Sequence, residues 1–204
     1  MQTVIRDLRR QDEKKARQFA EVGMHFSRYF TKSWKIHMFS RYFWNSSMQQ
    51  ASQVLAAYTE DGTLAGVLLA EMYGEPKIRQ SRAKSVYVSL YQKVRSWRYG
   101  KEADAYGKIN QEMLNAYQST NHPDGEILFL AANPEIISHG VGTALVQELR
   151  RREPGKTVFL FTDSDCSYGF YDAKGFQRVA EQDAVLTFDG RRYPLTQFLY
   201  AKTL

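Results

Sequence analysis

The sequence predicts an α/β fold of the α+β type: a mixed, mostly antiparallel, twisted sheet of about seven strands with helices on both faces. Three observations support this. Short apolar runs alternate with segments of helical periodicity. Asp61-Gly62 and Asp189-Gly190 are hairpin signals between neighbouring apolar runs, and a single strand–helix–strand crossover follows Gly125. We expect residues 1–204 to form a single domain that carries a helical insertion at about residues 75–125.

The composition excludes several classes of protein. Hydrophobic residues make up 43% of the chain and aromatic residues 14%, which is typical of a globular protein and not of a disordered one. Cys166 is the only cysteine, and the four histidines lack metal-ligand spacing, so we expect neither a disulfide framework nor a metal site. A net charge of +6 favours anionic partners but does not choose among a coenzyme, a nucleic acid and an acidic protein.

The location of the protein follows from what the sequence lacks. No apolar run approaches the roughly 18 residues that a membrane span needs. The first residues show no signal-peptide pattern. We therefore expect a cytoplasmic protein without a membrane partner. The sequence does not indicate an oligomeric state, and a homodimer is left open.

The N-terminal elements follow from periodicity and turn residues. The segment 3–8 predicts a first strand, and Asp12 is placed to begin a helix whose apolar residues recur at helical spacing. The aromatic-rich segment 25–44 predicts a second helix. The segments 54–58 and 64–70 predict two strands joined by the Asp61-Gly62 turn.

The insertion predicts two helices. Apolar residues share one helical face in each, and they are Val86, Leu90, Val94 and Trp97 in the first and Tyr106, Ile109, Met113 and Tyr117 in the second. Between Pro76 and Lys101 there are eight basic residues and no acidic one. Three interpretations stay open: a solvated amphipathic helix, a lid that shapes a substrate pocket, or a nucleic-acid surface on which bases meet phosphates and aromatic rings stack.

The C-terminal part returns to alternating elements. A strand at 126–132 leads to a helix that opens with Gly140-Val141-Gly142, and a second strand follows at 157–161. A short helix ends at Gly175, and the segments 176–188 and 194–202 predict a final hairpin.

The glycine pair predicts an anion site. Backbone N–H groups at a helix start, at the positive end of the helix dipole, can close around a phosphate. A P-loop would need Gly-Lys-Ser/Thr, which is absent, and a dinucleotide fold would need a third glycine where this chain has Leu145. Tyr171 lies one strand further along the chain and is expected to reach the same cleft. The segment therefore predicts a phosphate-bearing cofactor with chemistry at its far end.

These motifs resemble those of the GNAT acetyltransferase superfamily. The segment Ile137-Ser138-His139-Gly140-Val141-Gly142 is similar to the family's Q/R-x-x-G-x-G/A loop, with Ile137 in place of Gln or Arg. Phe170-Tyr171 followed by Gly175-Phe176 is similar to the family's tail motif. The resemblance covers the chain outside the insertion.

The resemblance implies an acetyl-CoA-dependent N-acyltransferase that moves an acetyl group from the thioester to a primary amine of a small molecule or protein by direct attack. It assigns pantetheine binding to Leu130, Ala131 and Ala132, with Asn133-Pro134 ending the pairing of the strand and opening the cleft. It assigns pyrophosphate binding to the loop and helix start, namely Ser138, His139, Gly140, Val141, Gly142, Thr143 and Ala144. A non-catalytic CoA-binding module and a nucleic-acid-associated acyltransferase are the alternatives.

Two residues are candidates for the chemistry. Glu126 resembles the general base of the histone acetyltransferase branch; the alternatives are a solvated carboxylate at a strand start, with an ordered water or an already neutral amine in place of the base. Tyr171 is the candidate acid toward the thiolate, and its alternative is an aromatic core residue. Tyr168, three residues earlier, is expected near the cofactor and can substitute for Tyr171.

Overall fold

The computed structural model describes residues 3–79, 81–99, 105–136, 140–188 and 191–204. Its sheet has seven strands in the order β1-β2-β3-β4-β5-β7-β6. Every neighbouring pair is antiparallel except β4 and β5, which are parallel. The prediction of a mixed, mostly antiparallel sheet is confirmed. The strands are β1 (Thr3–Asp7), β2 (Gln53–Thr59), β3 (Leu64–Met72), β4 (Gly125–Ala132), β5 (Thr157–Asp163), β6 (Gln177–Phe188) and β7 (Arg191–Thr203).

Helices cover both faces of the sheet, as predicted. They are α1 (Glu13–Gly23), α2 (Phe26–Tyr29), α3 (Ser33–Gln50), α4 (Arg82–Tyr99), α5 (Ala105–Gln118), α6 (Val141–Arg152) and α7 (Gly169–Ala173). On one face, Leu145 of α6 is buried in a cluster with residues of β3 and β5. On the other face, Phe19 of α1 and Trp44 of α3 pack on β2 and β3, and Met113 of α5 packs on β5 and β7.

The aromatic-rich segment after α1 forms two helices, where the sequence predicted one. The chain turns at His25, which has a φ of 50°, between α1 and α2. Asp12 precedes α1 as predicted, but its carboxylate does not cap the helix. It accepts instead from Arg9 at 2.6 Å and from the Tyr58 hydroxyl at 3.0 Å, so it ties the helix start to β2.

The insertion forms the two predicted helices, and they pack in different ways. Tyr91 of α4 stacks on Tyr42 of α3 with ring centroids 4.4 Å apart. The apolar face predicted for α4 points outward, since Val86 is 66% exposed and Leu90 is 60% exposed. The side chains of Val94 and Trp97 lie outside the described part of the chain. The apolar face of α5 packs inward, on β5, β6 and β7.

The central feature of the sheet is the separation of β4 from β5. Their parallel register includes only two pairs, Gly125 with Val158 and Glu126 with Phe159. Opposite β3, the register of β4 shifts so that Leu128 is an extra residue, and such a bulge bends its strand. The separation therefore begins directly after Glu126.

The expectation that Asn133-Pro134 opens the cleft is wrong. Asn133 continues to hold β4 against β3, because its amide nitrogen donates to the Ala65 carbonyl at 2.7 Å and its side chain donates to the Leu64 carbonyl at 3.1 Å. The cleft opens instead where β4 separates from β5, which happens several residues earlier in β4, next to the bulge.

The C-terminal hairpin is formed by β6 and β7, which pair along their length. The predicted turn at Asp189-Gly190 lies outside the described residues. Among the helices that the structure describes, none combines the length and the apolar character that a membrane crossing requires.

Candidate active site

The gap between β4 and β5 is a cleft of about 660 Å³ that passes from one face of the sheet to the other. Its walls come from the end of α1, from β4 between Ile127 and Ala132, from the start of α6, from the end of β5 and from α7. Tyr106 at the start of α5 completes it on the side of the insertion. The cleft can therefore hold an elongated ligand between the two strands.

The start of α6 has the backbone geometry of an anion site. Gly140 precedes the helix with φ 101° and ψ −3°, a left-handed conformation that favours glycine. The amide of Ala144 donates to the Gly140 carbonyl at 2.8 Å, which is the first hydrogen bond of the helix. The amides of the three preceding helical residues, Val141, Gly142 and Thr143, therefore have no acceptor within the helix, and they lie at its positive end.

The two glycines of this segment have different structural reasons. Gly140 is explained by its positive φ. A Cβ at Gly142 would lie 3.1 Å and 3.2 Å from two atoms of the Phe170 ring, so this glycine allows α7 to pack closely against α6. A Cβ at Gly66 in β3 would lie 2.5 Å from Cγ1 of Val141, so the helix start is also seated directly on the sheet.

Most of the predicted cofactor residues meet in this cleft. Those that line it are Leu130, Ala131, Ala132, Gly140, Val141, Gly142 and Thr143. Ala144 does not line it, and its amide is already engaged with Gly140. Ser138 and His139, together with Ile137, lie outside the described residues.

Tyr171 lies in the cleft among aromatic rings. Its ring centroid is 5.3 Å from that of Phe170 and 5.5 Å from that of Phe176. Burial, and then the neighbouring Cys166, raise the pKa of the Tyr171 phenol above its ordinary value. A phenol with a raised pKa is a weaker acid but still donates a hydrogen bond.

Tyr168 is not one of the residues that line the cleft. Its ring packs on Phe198 with centroids 5.0 Å apart, and the Arg178 guanidinium lies 5.5 Å from its centroid. The role assigned to Tyr168 stays a prediction, and these contacts do not favour it.

Glu126 lies one residue before the cleft lining, which begins at Ile127. Burial raises the pKa of its carboxyl to about 7, and the charge of Glu71 adds to the rise. Glu71 is the residue opposite Glu126 on β3, and it is held by Lys77 with an Nζ–Oε1 distance of 2.5 Å. The charges of both glutamates, after burial, raise the pKa of Tyr73 to about 12.

The structure adds residues that the sequence did not point to. Tyr106, predicted only as part of a helical face, lines the cleft and donates from its hydroxyl to Oδ2 of Asp163 at 3.1 Å. Cys166 also lines the cleft, and burial with the nearby Asp163 raises the pKa of its thiol to about 12. The positions of Asp163 and Glu71 near the cleft follow from the strand pairing, which the sequence alone does not give.

Within the described ranges, no three or more His, Cys, Asp or Glu side chains come together in a way that could hold a metal ion.

Comparison with known proteins identifies the fold. No protein-family model matches the sequence, and no curated protein sequence matches it. An agmatine N-acetyltransferase structure is 11% identical, covers 99% of each chain and superposes with a TM-score of 0.60. The polyamine N-acetyltransferase of Drosophila melanogaster is 12% identical, covers 100% of each chain and has a TM-score of 0.57. A GNAT-family protein of Desulfovibrio desulfuricans is 15% identical over 99% of each chain, with a TM-score of 0.52.

These neighbours share the topology that the strands and helices of this chain define, along the whole chain and not over one motif. The predicted resemblance is confirmed for the fold: this chain has the fold of the GNAT N-acetyltransferase superfamily.

Proposed function

We propose that this protein is an acetyl-CoA-dependent N-acetyltransferase that transfers an acetyl group to a primary amine. The observation that carries the proposal is the cleft between β4 and β5, which has the helix-start amides of Val141, Gly142 and Thr143 at one end and Tyr171 within it. Two solved neighbours are N-acetyltransferases of amines, named for agmatine and for polyamines.

The cofactor is proposed to bind by its two polar parts. The pyrophosphate meets the amides at the start of α6, where the positive end of the helix favours an anion. The pantetheine arm lies along Leu130, Ala131 and Ala132, because the edge of β4 that faces the gap has lost its pairing with β5. A backbone amide of this edge then donates to the thioester carbonyl and stabilises the oxyanion.

The transfer itself requires that the amine nitrogen lose two protons. A primary amine with a pKa near 10 is charged at neutral pH and must lose the first proton before its nitrogen can attack. The C–N bond then forms, the C–S bond breaks, the sulfur leaves as a thiolate, and the nitrogen, which is cationic after its attack, releases the second proton to solvent. Glu126 is proposed as the final acceptor of the amine proton, through a water, since its carboxyl lies just beyond the cleft lining and has a pKa of about 7.

Tyr171 is proposed to stabilise the leaving sulfur. Its raised pKa makes complete proton transfer to a thiolate more uphill than for an ordinary phenol. We therefore assign it a hydrogen bond from the hydroxyl to the sulfur, and the proton that ends on the thiol comes from solvent.

The alternatives from the sequence are less well supported. Of the basic residues of the insertion, Lys77 pairs with Glu71, and Arg79 and Lys84 both pair with Glu13. These pairs neutralise part of the charge that a nucleic acid would meet.

A protein amine as acceptor, a cytoplasmic location, a homodimer and the single-domain organisation stay predictions.

The proposal is tested by ligand binding and by thiol release. We expect acetyl-CoA in large excess over its dissociation constant to stabilise the protein by about 3 kcal/mol, which is a shift of several degrees in Tm. We also expect free thiol to appear when amines are added. A protein that millimolar acetyl-CoA does not stabilise would contradict the cofactor assignment.

Tyr171→Phe separates an enzyme from a binding module. The variant keeps the aromatic packing and loses the hydroxyl, so acetyl-CoA should still raise its Tm while thiol release slows by about 10-fold to 100-fold. Unchanged thiol release would remove Tyr171 from the mechanism, and binding without any release from the unmodified protein would identify a CoA-binding module.

A further inference from the structure

Asp163, at the end of β5, is a buried carboxylate without a cationic partner. It is 6% exposed, and among the described residues no lysine, arginine or histidine forms an ion pair with it. Its neighbour Asp165, by contrast, is paired with Arg28 at 2.6 Å. A buried charge that lacks a counter-charge is costly, and a cationic ligand could supply the compensation.

The carboxylate of Asp163 has room for a further hydrogen bond. Oδ2 accepts from the Tyr106 hydroxyl at 3.1 Å, Oδ1 accepts from the Asp165 amide at 3.0 Å, and the Cys166 thiol also donates to this carboxylate. An ionised carboxylate offers about four acceptor positions, so about one is left.

A second buried polar group lies beside Asp163. Gln197 of β7 is the residue directly opposite Asp163 in the antiparallel register of β5 and β7, so both side chains point to the same face of the sheet. Gln197 is 0% exposed, and neither its Oε1 nor its Nε2 has a hydrogen-bond partner in the part of the chain that the structure describes. An orphaned carboxamide next to an uncompensated carboxylate is a pair that still has donors and acceptors to offer.

This pair lies behind the wall of the cleft. Tyr106 lines the cleft and contacts Asp163 directly, and Cys166, in the turn that follows Asp163, lines it too. An aromatic ring such as that of Tyr106 can hold a cation over its face. A cationic group held at this wall would meet an aromatic ring first and a carboxylate behind it.

We propose that Asp163, with Gln197 beside it and Tyr106 in front, recognises a second positive charge on the acceptor amine. The proposal rests on the acetyltransferase function and specifies its substrate class: amines that carry an ammonium or guanidinium group at a distance from the nitrogen that is acetylated. A monoamine of the same length would leave the Asp163 charge without its counter-charge.

The test compares matched acceptors with the intact protein and acetyl-CoA. We expect kcat/KM for α,ω-diamines of three to five carbons to exceed that for the linear monoamines of equal length by about tenfold, which is what a cation over a buried aromatic ring contributes when a carboxylate lies behind the ring. Equal values for diamines and monoamines in the unmodified protein would overturn the inference while leaving the proposed acetyltransferase function intact.

Variants then assign the preference to a residue. Asp163→Asn removes the charge with little change in shape, so the diamine-to-monoamine ratio should fall toward one. Asp183→Asn is the matched control, because it removes the same charge from an exposed position on β6. Tyr106→Phe removes a donor and keeps the carboxylate, so the ratio should stay well above one.

Two further measurements keep the inference and the function apart. If acetyl-CoA binds but no amine reacts, calorimetric titration with the same amine pairs decides: tighter diamine binding that Asp163→Asn abolishes supports the site, and equal binding rejects it. If Asp163→Asn keeps the diamine preference and remains folded by Tm, the charge that reads the acceptor lies elsewhere.

Discussion

The surroundings of Glu126 raise the pKa of its carboxyl to about 7. Burial is the larger cause, and the Glu71 carboxylate opposite it is the second. Glu71 is itself paired with Lys77, whose Nζ lies 2.5 Å from Oε1 of Glu71. A base with a pKa near 7 is half ionised at neutral pH, which is the range in which it can both accept and release a proton.

Glu126→Gln tests this role through pH. If the Glu126 carboxylate accepts the amine proton, kcat/KM in the unmodified protein rises with pH through a pKa of about 7, because only the ionised form acts as the base. We expect Glu126→Gln to lose this rise, which is the acidic limb of the pH profile, and to lower kcat/KM at pH 8 by about 100-fold. A limb that persists in the variant would assign the titration to another group.

Glu71→Gln is the matched control. It removes the like charge that raises the pKa of Glu126 and leaves Lys77 nearby, so the limb should move to lower pH without disappearing. A limb that moves to higher pH would contradict the assigned cause.

Some of these residues could be predicted from the sequence because they belong to one continuous segment. Gly140 and Gly142 belong to a local motif at the start of a helix, and Leu130 is assigned from the resemblance to the family. Asp163 and Gln197 are far apart in the chain and meet only through the register of β5 and β7. No local pattern contains that register, which is why these two residues, proposed above to recognise the acceptor, could not be predicted as neighbours.

The contact between α6 and α7 fixes the position of the helix start. Gly142 packs against the ring of Phe170, which also lines the cleft. A methyl group at Gly142 would push the ring or the helix by a few tenths of an ångström.

Gly142→Ala is therefore expected to raise the KM for acetyl-CoA by about tenfold, because the amides that are proposed to bind the pyrophosphate would move away from it. Gly169→Ala is the control, since a Cβ there meets nothing within 4 Å. Equal KM values for the two variants would show that the close packing at Gly142 does not position the anion site.

The insertion shows what periodicity can and cannot predict. Repeating apolar residues correctly predicted both α4 and α5 as helices, but they did not predict which face of α4 contacts the rest of the protein. Tyr87 and Tyr91 form the actual contact with α3, through Met38 and Tyr42, and leave Val86 and Leu90 outside. Aromatic side chains can bury more area than the aliphatic stripe, and the sequence does not say which neighbour they will find.

The order of strands in the sheet follows chain order except at one place. β7 lies between β5 and β6, so the last strand is inserted into the sheet. Neighbouring strands in the sequence usually pair, which makes β1 to β4 predictable and the position of β7 not.

The stability of the folded chain should depend on pH through Glu126. Its pKa rises from 4.5 to about 7 on folding, so the folded state binds more protons than the unfolded state between these values. The free energy of unfolding therefore falls as the pH rises from 4.5 to 7, by at most about 3 kcal/mol.

Glu126→Gln lacks this penalty and should become more stable than the unmodified protein above pH 7, by a few degrees in Tm, with little difference near pH 4.5. Thermal unfolding of both proteins across this range measures the difference. A constant difference at all pH values would mean that Glu126 titrates normally.

Because β4 and β5 pair at only two positions, the molecule carries two strand edges in its interior. Elsewhere such edges sit at the rim of a sheet, where charges, bulges or covering loops keep other chains from adding to them. Here the proposed cofactor would itself be the cover. A protein molecule without bound coenzyme would then expose these edges as a template for intermolecular strand addition. The cellular concentration of the coenzyme would therefore govern how much of the protein stays in solution.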